Sequence, residues 1–270
     1  MDKNLVYSVL PLLALSAVLQ VVMGNLDLGI FSFPVNVALL LALGGILYVL
    51  TRERVGERFM SALASAHAAA VFVALTGIGC LLIAFFPKWD FQHSWIFAAM
   101  LLLLMSNLFL AIFRYKGRFK VRFYLNHVAL LLLIASLSLG AADMRRMRAV
   151  VNIGDTVDKA YTEEGLPYSL GYELKLESFD ADFYDNNVPS EFRAVVSSEG
   201  EQRTVRVNHP WRKTWCEDIY LTGYDTKAGA ESEYCILEFI VQPWKYVAVV
   251  AIVLFAVGAV LLLWGGRQRN

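Results

Sequence analysis

Net charge is missing from this sequence: 24 lysines and arginines balance 24 aspartates and glutamates. Bulk electrostatics therefore point to no partner. The basic residues lie in short clusters beside apolar runs, without a nucleic-acid-binding motif, so no nucleic acid is expected as a partner. Hydrolytic signatures are missing too: there is no Gly-x-Ser-x-Gly elbow, no His-Glu-x-x-His helix and no glycine-rich phosphate loop. Carboxylates are nearly absent from the apolar runs, which weakens any proton-relay reading, because such a relay needs several ionisable groups in succession. Cysteines number only three and histidines four.

What is abundant is apolar. The chain is 57% hydrophobic, with a mean hydropathy of +0.52. Six runs approach or exceed the length that crosses about 30 Å of hydrocarbon. They cover residues 5–23, 35–50, 61–86, 94–113, 123–142 and 246–264. No small-residue cleavage site follows the first, and a second run comes soon after, so it reads as a retained helix rather than a signal peptide. Lysine and arginine set the orientation. Arg52, Arg54 and Arg58 share one connection, Arg114, Lys116, Arg118, Lys120 and Arg122 another, and Arg267 and Arg269 the tail, whereas the opposite loops hold only Lys88. Both termini are thus expected in the cytoplasm, and 143–245 outside it. Arg145, Arg146 and Arg148 fall on the outer side, against the usual bias, and need a reason.

After Asp143 continuous apolar runs give way to alternation, the mark of half-buried strands. Residues 172–177 and 204–207 alternate, 218–224 and 234–241 read as further strands, and turn residues separate them, among them Asn152-Ile153-Gly154-Asp155 and Asp185-Asn186-Asn187. The predicted fold class is a polytopic α-helical membrane protein of about six transmembrane helices, with an antiparallel β domain inserted before the last. The domains are a five-helix bundle (1–142), a sandwich- or barrel-like β domain (143–245), and a sixth helix with a tail (246–270). Asp180, Asp182 and Asp185 lack the glycine and terminal glutamate of a calcium loop and read as a solvated acidic turn. Cys80 lies within the third run and reads as inert packing. Cys216 and Cys235 fall on two strands flanking the polar segment 224–233, where a hairpin would bring them together. A disulfide is expected, the alternative being two free thiols.

Among the histidines, His67 has small neighbours that let another helix approach, and reads as an interfacial residue bonded to a backbone carbonyl. His93 lies in a short tryptophan-flanked loop, and His209 in a turn before a proline. His127, in Asn126-His127-Val128-Ala129, lies about one turn inside an otherwise apolar run. An ionisable group at that depth is costly and is by default a functional candidate. Three readings stand: a brace bonded to Ser136, Asn107 or a neighbouring helix; a proton relay; or a metal or haem ligand.

The segment from Trp95 to Gly154 carries a resemblance. It runs through Leu108-Phe109-Leu110-Ala111-Ile112-Phe113-Arg114-Tyr115-Lys116, a basic loop, Asn126-His127-Val128-Ala129 and Leu139-Gly140. The β region continues it with Leu166-Pro167-Tyr168, Val188-Pro189-Ser190-Glu191-Phe192, Val207-Asn208-His209-Pro210, Ile219-Tyr220-Leu221-Thr222-Gly223-Tyr224 and Pro243-Trp244-Lys245-Tyr246. Over about two thirds of its length the chain resembles the ResB/CcsB family of cytochrome c biogenesis proteins, known as System II. The resemblance implies a bacterial inner-membrane protein with a periplasmic β domain, working with a CcsA-type tryptophan-rich membrane protein. Together they would bring haem across the bilayer and attach it to apocytochrome c. The family's intramembrane histidine falls on His127, as an axial ligand to transient haem of the b type. Arg145, Arg146 and Arg148 become candidates for haem propionates, with membrane-surface snorkelling as the alternative; His67 is a weaker candidate for haem. Alone, the chain is not expected to be an enzyme, because ligation requires the partner. The run 5–50 has no counterpart in the simplest family members, and the outer domain is small. Competing readings are a membrane-anchored sensor or scaffold whose β domain binds a protein, and a permease subunit.

Overall fold

A computed structural model describes residues 3–266 except 119 and 187. Arg267 and Arg269, and Asn187 of the Asp185-Asn186-Asn187 turn, lie outside the described residues. The chain forms two compact units, Met1–Ala142 with Trp244–Asn270, and Asp143–Pro243.

The first unit is helical: α1 (Lys3–Met23), α2 (Val35–Arg52), a short α3 (Glu57–Leu63), α4 (Ala66–Phe85), α5 (Trp95–Arg114), α6 (Lys120–Ser138) and α7 (Lys245–Gly266). All except α3 belong to segments long and apolar enough to cross a membrane. A helix satisfies its own backbone polar groups, which is what an apolar run in hydrocarbon requires. The most interior helix is α5, which touches α1, α2, α3, α4 and α6 and buries Leu103, Leu104, Leu108 and Leu110. Along α6 runs α7, close enough that a Cβ at Gly258 would stand 2.8 Å from the side-chain nitrogen of Asn126. Asn36, fully buried on α2, donates to the carbonyl of Leu139 at 3.2 Å.

The third run is not one helix. It breaks between α3 and α4, so the span begins at Ala66 rather than Ser61. Ser65 caps α4 by accepting from Ala68 N–H at 3.1 Å, as serine favours. Asn107 of α5 donates to the carbonyls of Leu63 at 2.6 Å and Ser65 at 3.4 Å, supplying partners for oxygens that the helix end leaves open.

The second unit is an eight-stranded sheet: β1 (Arg145–Asn152), β2 (Thr156–Tyr161), β3 (Pro167–Phe183), β4 (Pro189–Ser198), β5 (Glu201–Arg206), β6 (Trp211–Arg212), β7 (Glu217–Tyr224) and β8 (Tyr234–Val241). The order is β5-β4-β3-β2-β1-β8-β7-β6, and every pairing is antiparallel. First and last strands of the chain pair along their whole length, from Arg145↔Val241 to Asn152↔Tyr234. Alternation puts Met147, Val151, Leu174, Leu176, Val196, Ile219, Leu237 and Phe239 into one core. The two ends of the strand order meet, since β5 touches β6 and β7, so the sheet curls like a barrel. Lys213 fastens that closure. Its ammonium lies 2.6 Å from Glu199 Oε2 and 3.1 Å from Ser198 Oγ, over the rings of Tyr172 and Trp211.

Two expectations are overturned here. Cys216 and Cys235 are free thiols. A β7–β8 hairpin does form, but its register sets Cys235 opposite Tyr224 and hydrogen-bonds the Cys216 carbonyl to Gln242 N–H. The two cysteines therefore sit about 20 Å apart along the strands, whereas a disulfide needs Cα atoms about 4.4–6.8 Å apart. The acidic turn is also absent as such. Asp180 and Asp182 lie on β3 and both pair with Arg193 of β4, because alternate residues of a strand share a face.

Candidate functional site

An imidazole in an apolar helix must satisfy or expose two ring nitrogens. His127 lies seven residues after the start of α6, about 10 Å along its axis. Its Nδ1 is 2.9 Å from the carbonyl oxygen of Phe123, one turn back. That carbonyl can only accept, so Nδ1 carries a proton, and the tautomer this selects has its lone pair on Nε2. Among the described residues, nothing is hydrogen-bonded to Nε2. The ring is half-buried.

Aromatic rings stack beneath it. The rings of His127 and Phe123 lie 3.8 Å apart at 22°, and those of Phe123 and Tyr115 lie 3.6 Å apart at 4°. Tyr124 meets both Tyr115 and Phe123 edge-on. The helical period explains Phe123, since i and i+4 share a face. Tyr115 precedes α6 and folds back over it, which Gly117 permits: a Cβ there would collide with the tyrosine hydroxyl. Tyr115 and Phe123 are members of the site that the sequence reading missed. The i−4 spacing of Phe123 from His127 was the available signal.

The candidate braces for His127 are engaged elsewhere. Asn107 donates to Leu63 and Ser65, and Ser136 donates to the carbonyl of Leu133 at 2.9 Å. The imidazole makes its hydrogen bond within its own helix and pins no neighbour by one. What the arrangement offers chemically is a fixed nitrogen lone pair beside a flat aromatic column. That suits one axial position of a metal-bearing ring, whose faces need apolar walls. No cluster of three or more histidine, cysteine or acidic side chains suited to a bare metal ion occurs among the described residues.

The other candidates separate. His67 lies in the first turn of α4, exposed and without a hydrogen-bond partner among the described residues, so the carbonyl-bonded interfacial reading is corrected. Cys80 is exposed on α4 rather than packed inside. Arg145, Arg146 and Arg148 belong to strand β1. Arg148 pairs with Glu238 of β8 at 2.9 Å, and Arg146 approaches the same carboxylate at 3.9 Å. Arg145 donates to Tyr168 Oη at 3.2 Å. Glu238, not foreseen as their partner, is 7% exposed. His209 is exposed in the turn after β5. His93 is bonded to Asp90.

Two further carboxylates are shifted by their surroundings. The Arg114 guanidinium beside Glu57 holds that carboxyl below its usual range. Burial pushes Glu217 above its usual value, against the opposing hydrogen bond from Tyr172 and the charge of Lys213.

Residues 115–238 match the model of the ResB-like family. That segment is ResB-like. It opens on Tyr115, the outer ring of the stack, contains His127 and β1 to β7, and ends at Glu238, the carboxylate that binds Arg148. Helices α1 to α5 and α7 lie outside the ResB-like match. Among solved structures, the chain is similar to one named Cytochrome c Heme Lyase CcmF, with 15% identity and a TM-score of 0.40, covering 77% of this chain and 38% of that one. The chain therefore spans well under half the length of that structure. No curated protein matches.

Proposed function

We propose that the chain is a membrane component of cytochrome c biogenesis of the System II type, in which His127 takes the iron of haem in transit. The observation that carries the proposal is the state of that imidazole. Its Nδ1 proton is committed to Phe123, its Nε2 is unbonded among the described residues, and its ring ends an aromatic column. The ResB-like segment supports it, because that segment includes the whole constellation.

Haem, when held there, supplies vinyl groups for thioether bonds to the thiols of an apocytochrome. His127 would offer a ring nitrogen to the iron, and Phe123 with Tyr115 would orient that ring and exclude water. A CcsA-type membrane partner would supply the remaining ligand and share the haem. The curled sheet receives or positions the apocytochrome in the periplasm, with both termini cytoplasmic. Arg145 is the arginine we retain as a contact for a carboxylate-bearing ligand, since Arg146 and Arg148 already serve Glu238.

Co-expression with the partner tests the reading. The purified complex should show a Soret band that weakens on His127→Ala and recovers with added imidazole. A colourless complex, or a band indifferent to His127→Ala, favours a membrane-anchored scaffold that binds a protein through its β domain.

A further inference from the structure

We propose that His93 is a second haem-iron ligand, oriented by Asp90 and standing about 20 Å from His127 along the helix axes. The inference rests on the haem reading above and extends it to a second station on the same chain.

The loop between α4 and α5 holds His93 in a defined state. Its Nδ1 lies 2.5 Å from Asp90 Oδ1. The other carboxylate oxygen of Asp90 accepts from Asn25 Nδ2 at 2.8 Å, and Asn25 Oδ1 accepts from Gln20 Nε2 at 2.8 Å. Gln20 Oε1 in turn accepts from Trp95 N–H at 2.9 Å, and Leu26 N–H donates to the His93 carbonyl at 2.6 Å. Two loops are thus laced together around one carboxylate. Asp90 itself adopts a left-handed conformation, φ 50°, uncommon for a residue with a side chain.

The result is the carboxylate–imidazole pair that orients histidine ligands in metal sites. A carboxylate oxygen accepts, so Nδ1 carries a proton, and Nε2 has no hydrogen-bond partner among the described residues. Phe91 anchors the loop inward, where Gly79 leaves room for it. On the outside, Phe86 and Trp89 stack at 4.4 Å and 14°, and Trp89 is 62% exposed. A tryptophan at a membrane boundary is ordinary. That does not account for the buttressed Asp90–His93 pair three residues away.

Placement gives the pair its meaning. His93 precedes α5, whereas His127 follows it across the connection to α6. The twenty residues of α5 measure about 30 Å, and His127 lies about 10 Å back along α6, which leaves about 20 Å between the two imidazoles. One haem cannot touch both imidazoles. A cargo that crosses the bilayer needs a holding point towards each side, and these are two histidines with an Nε2 left open and an Nδ1 already engaged.

The test is a hemin titration of the full-length chain in detergent, read by Soret absorbance and by haem-to-protein ratio. Wild type should bind two haems, His127→Ala one, His93→Asn one, and the double variant none. Asparagine keeps an amide donor for Asp90 but no ligand nitrogen, and thermal unfolding should show the loop intact. Asp90→Asn should weaken the His93-dependent haem about tenfold or more and leave the other unchanged. The inference is overturned if His127→Ala and the double variant bind alike. If instead His93→Asn lowers binding and His127→Ala does not, the His127 reading fails while His93 stands.

Discussion

The carbonyl oxygen of Phe123 lies 2.9 Å from Nδ1 of His127, and the Phe123 ring lies against the same imidazole. One residue thereby fixes both the tautomer and the tilt of a candidate ligand. The two roles separate experimentally. Phe123→Leu keeps the carbonyl but removes the ring, and Gly117→Val drives Tyr115 off the column. An aromatic pair contributes about 0.5–1.5 kcal/mol, so each variant should weaken hemin binding by roughly three- to tenfold without changing membrane insertion. Unchanged affinity in both would remove the column from the site.

Arg148 and Glu238 differ in exposure, and that predicts an asymmetry. The carboxylate side chain is 10% exposed and the guanidinium 56%. Removing Glu238 leaves arginines that water can solvate, so Glu238→Ala should cost at most about 1 kcal/mol beyond its packing. Replacing Arg146 and Arg148 together by alanine leaves a buried acid unpaired, at about 1–3 kcal/mol. Thermal unfolding of the β unit within the full chain measures both. Equal losses would mean that Glu238 is better solvated than its burial indicates.

Glu217 supplies a pH dependence of definite sign. Its carboxyl is raised by burial, so the protonated form is favoured in the folded state. The stability this contributes is fully present below the unfolded carboxylate value and is lost as pH rises through the raised folded one. Unfolding temperature should therefore carry a downward component above about pH 4.5. Glu217→Gln, which keeps an acceptor for the Tyr172 hydroxyl, should flatten that component. A profile identical in both proteins would contradict it.

Thiol chemistry checks the sheet register. Cys216 is half-buried, and Cys235 is fully buried with its thiol pushed up to about 12 by burial. Cys216 should alkylate in the folded protein, and Cys235 only after unfolding, because the thiolate is the nucleophile. Mass spectrometry without reductant should find no bond between them. A Cys216–Cys235 disulfide would require a different β7–β8 register.

Much of the fold was legible because its signals are periodic. Continuous apolar runs marked the six spanning segments, and alternation at 172–177 and 204–207 marked parts of β3 and β5. Strand β1 escaped notice because Arg145, Arg146 and Arg148 read as a basic membrane flank, although Met147, Ala149 and Val151 alternate with them into the core. Register was the other gap. The hairpin after Tyr224 was visible, but sequence alone does not say which residue faces Cys235. The break at Ser65 depends on Asn107, more than forty residues away, and no local pattern reveals it. His127 stood out because a titratable ring in an apolar run is rare. Its partner carbonyl and the stacked Tyr115 required three dimensions.

The central claim, that the His127 nitrogen exists to hold iron, is tested most directly by covalent haem staining of c-type cytochromes in cells whose only copy of this chain carries His127→Ala. The account predicts a large loss of stained cytochrome c at normal levels of the chain, with partial recovery when imidazole is supplied. Full cytochrome yield without His127 would contradict it.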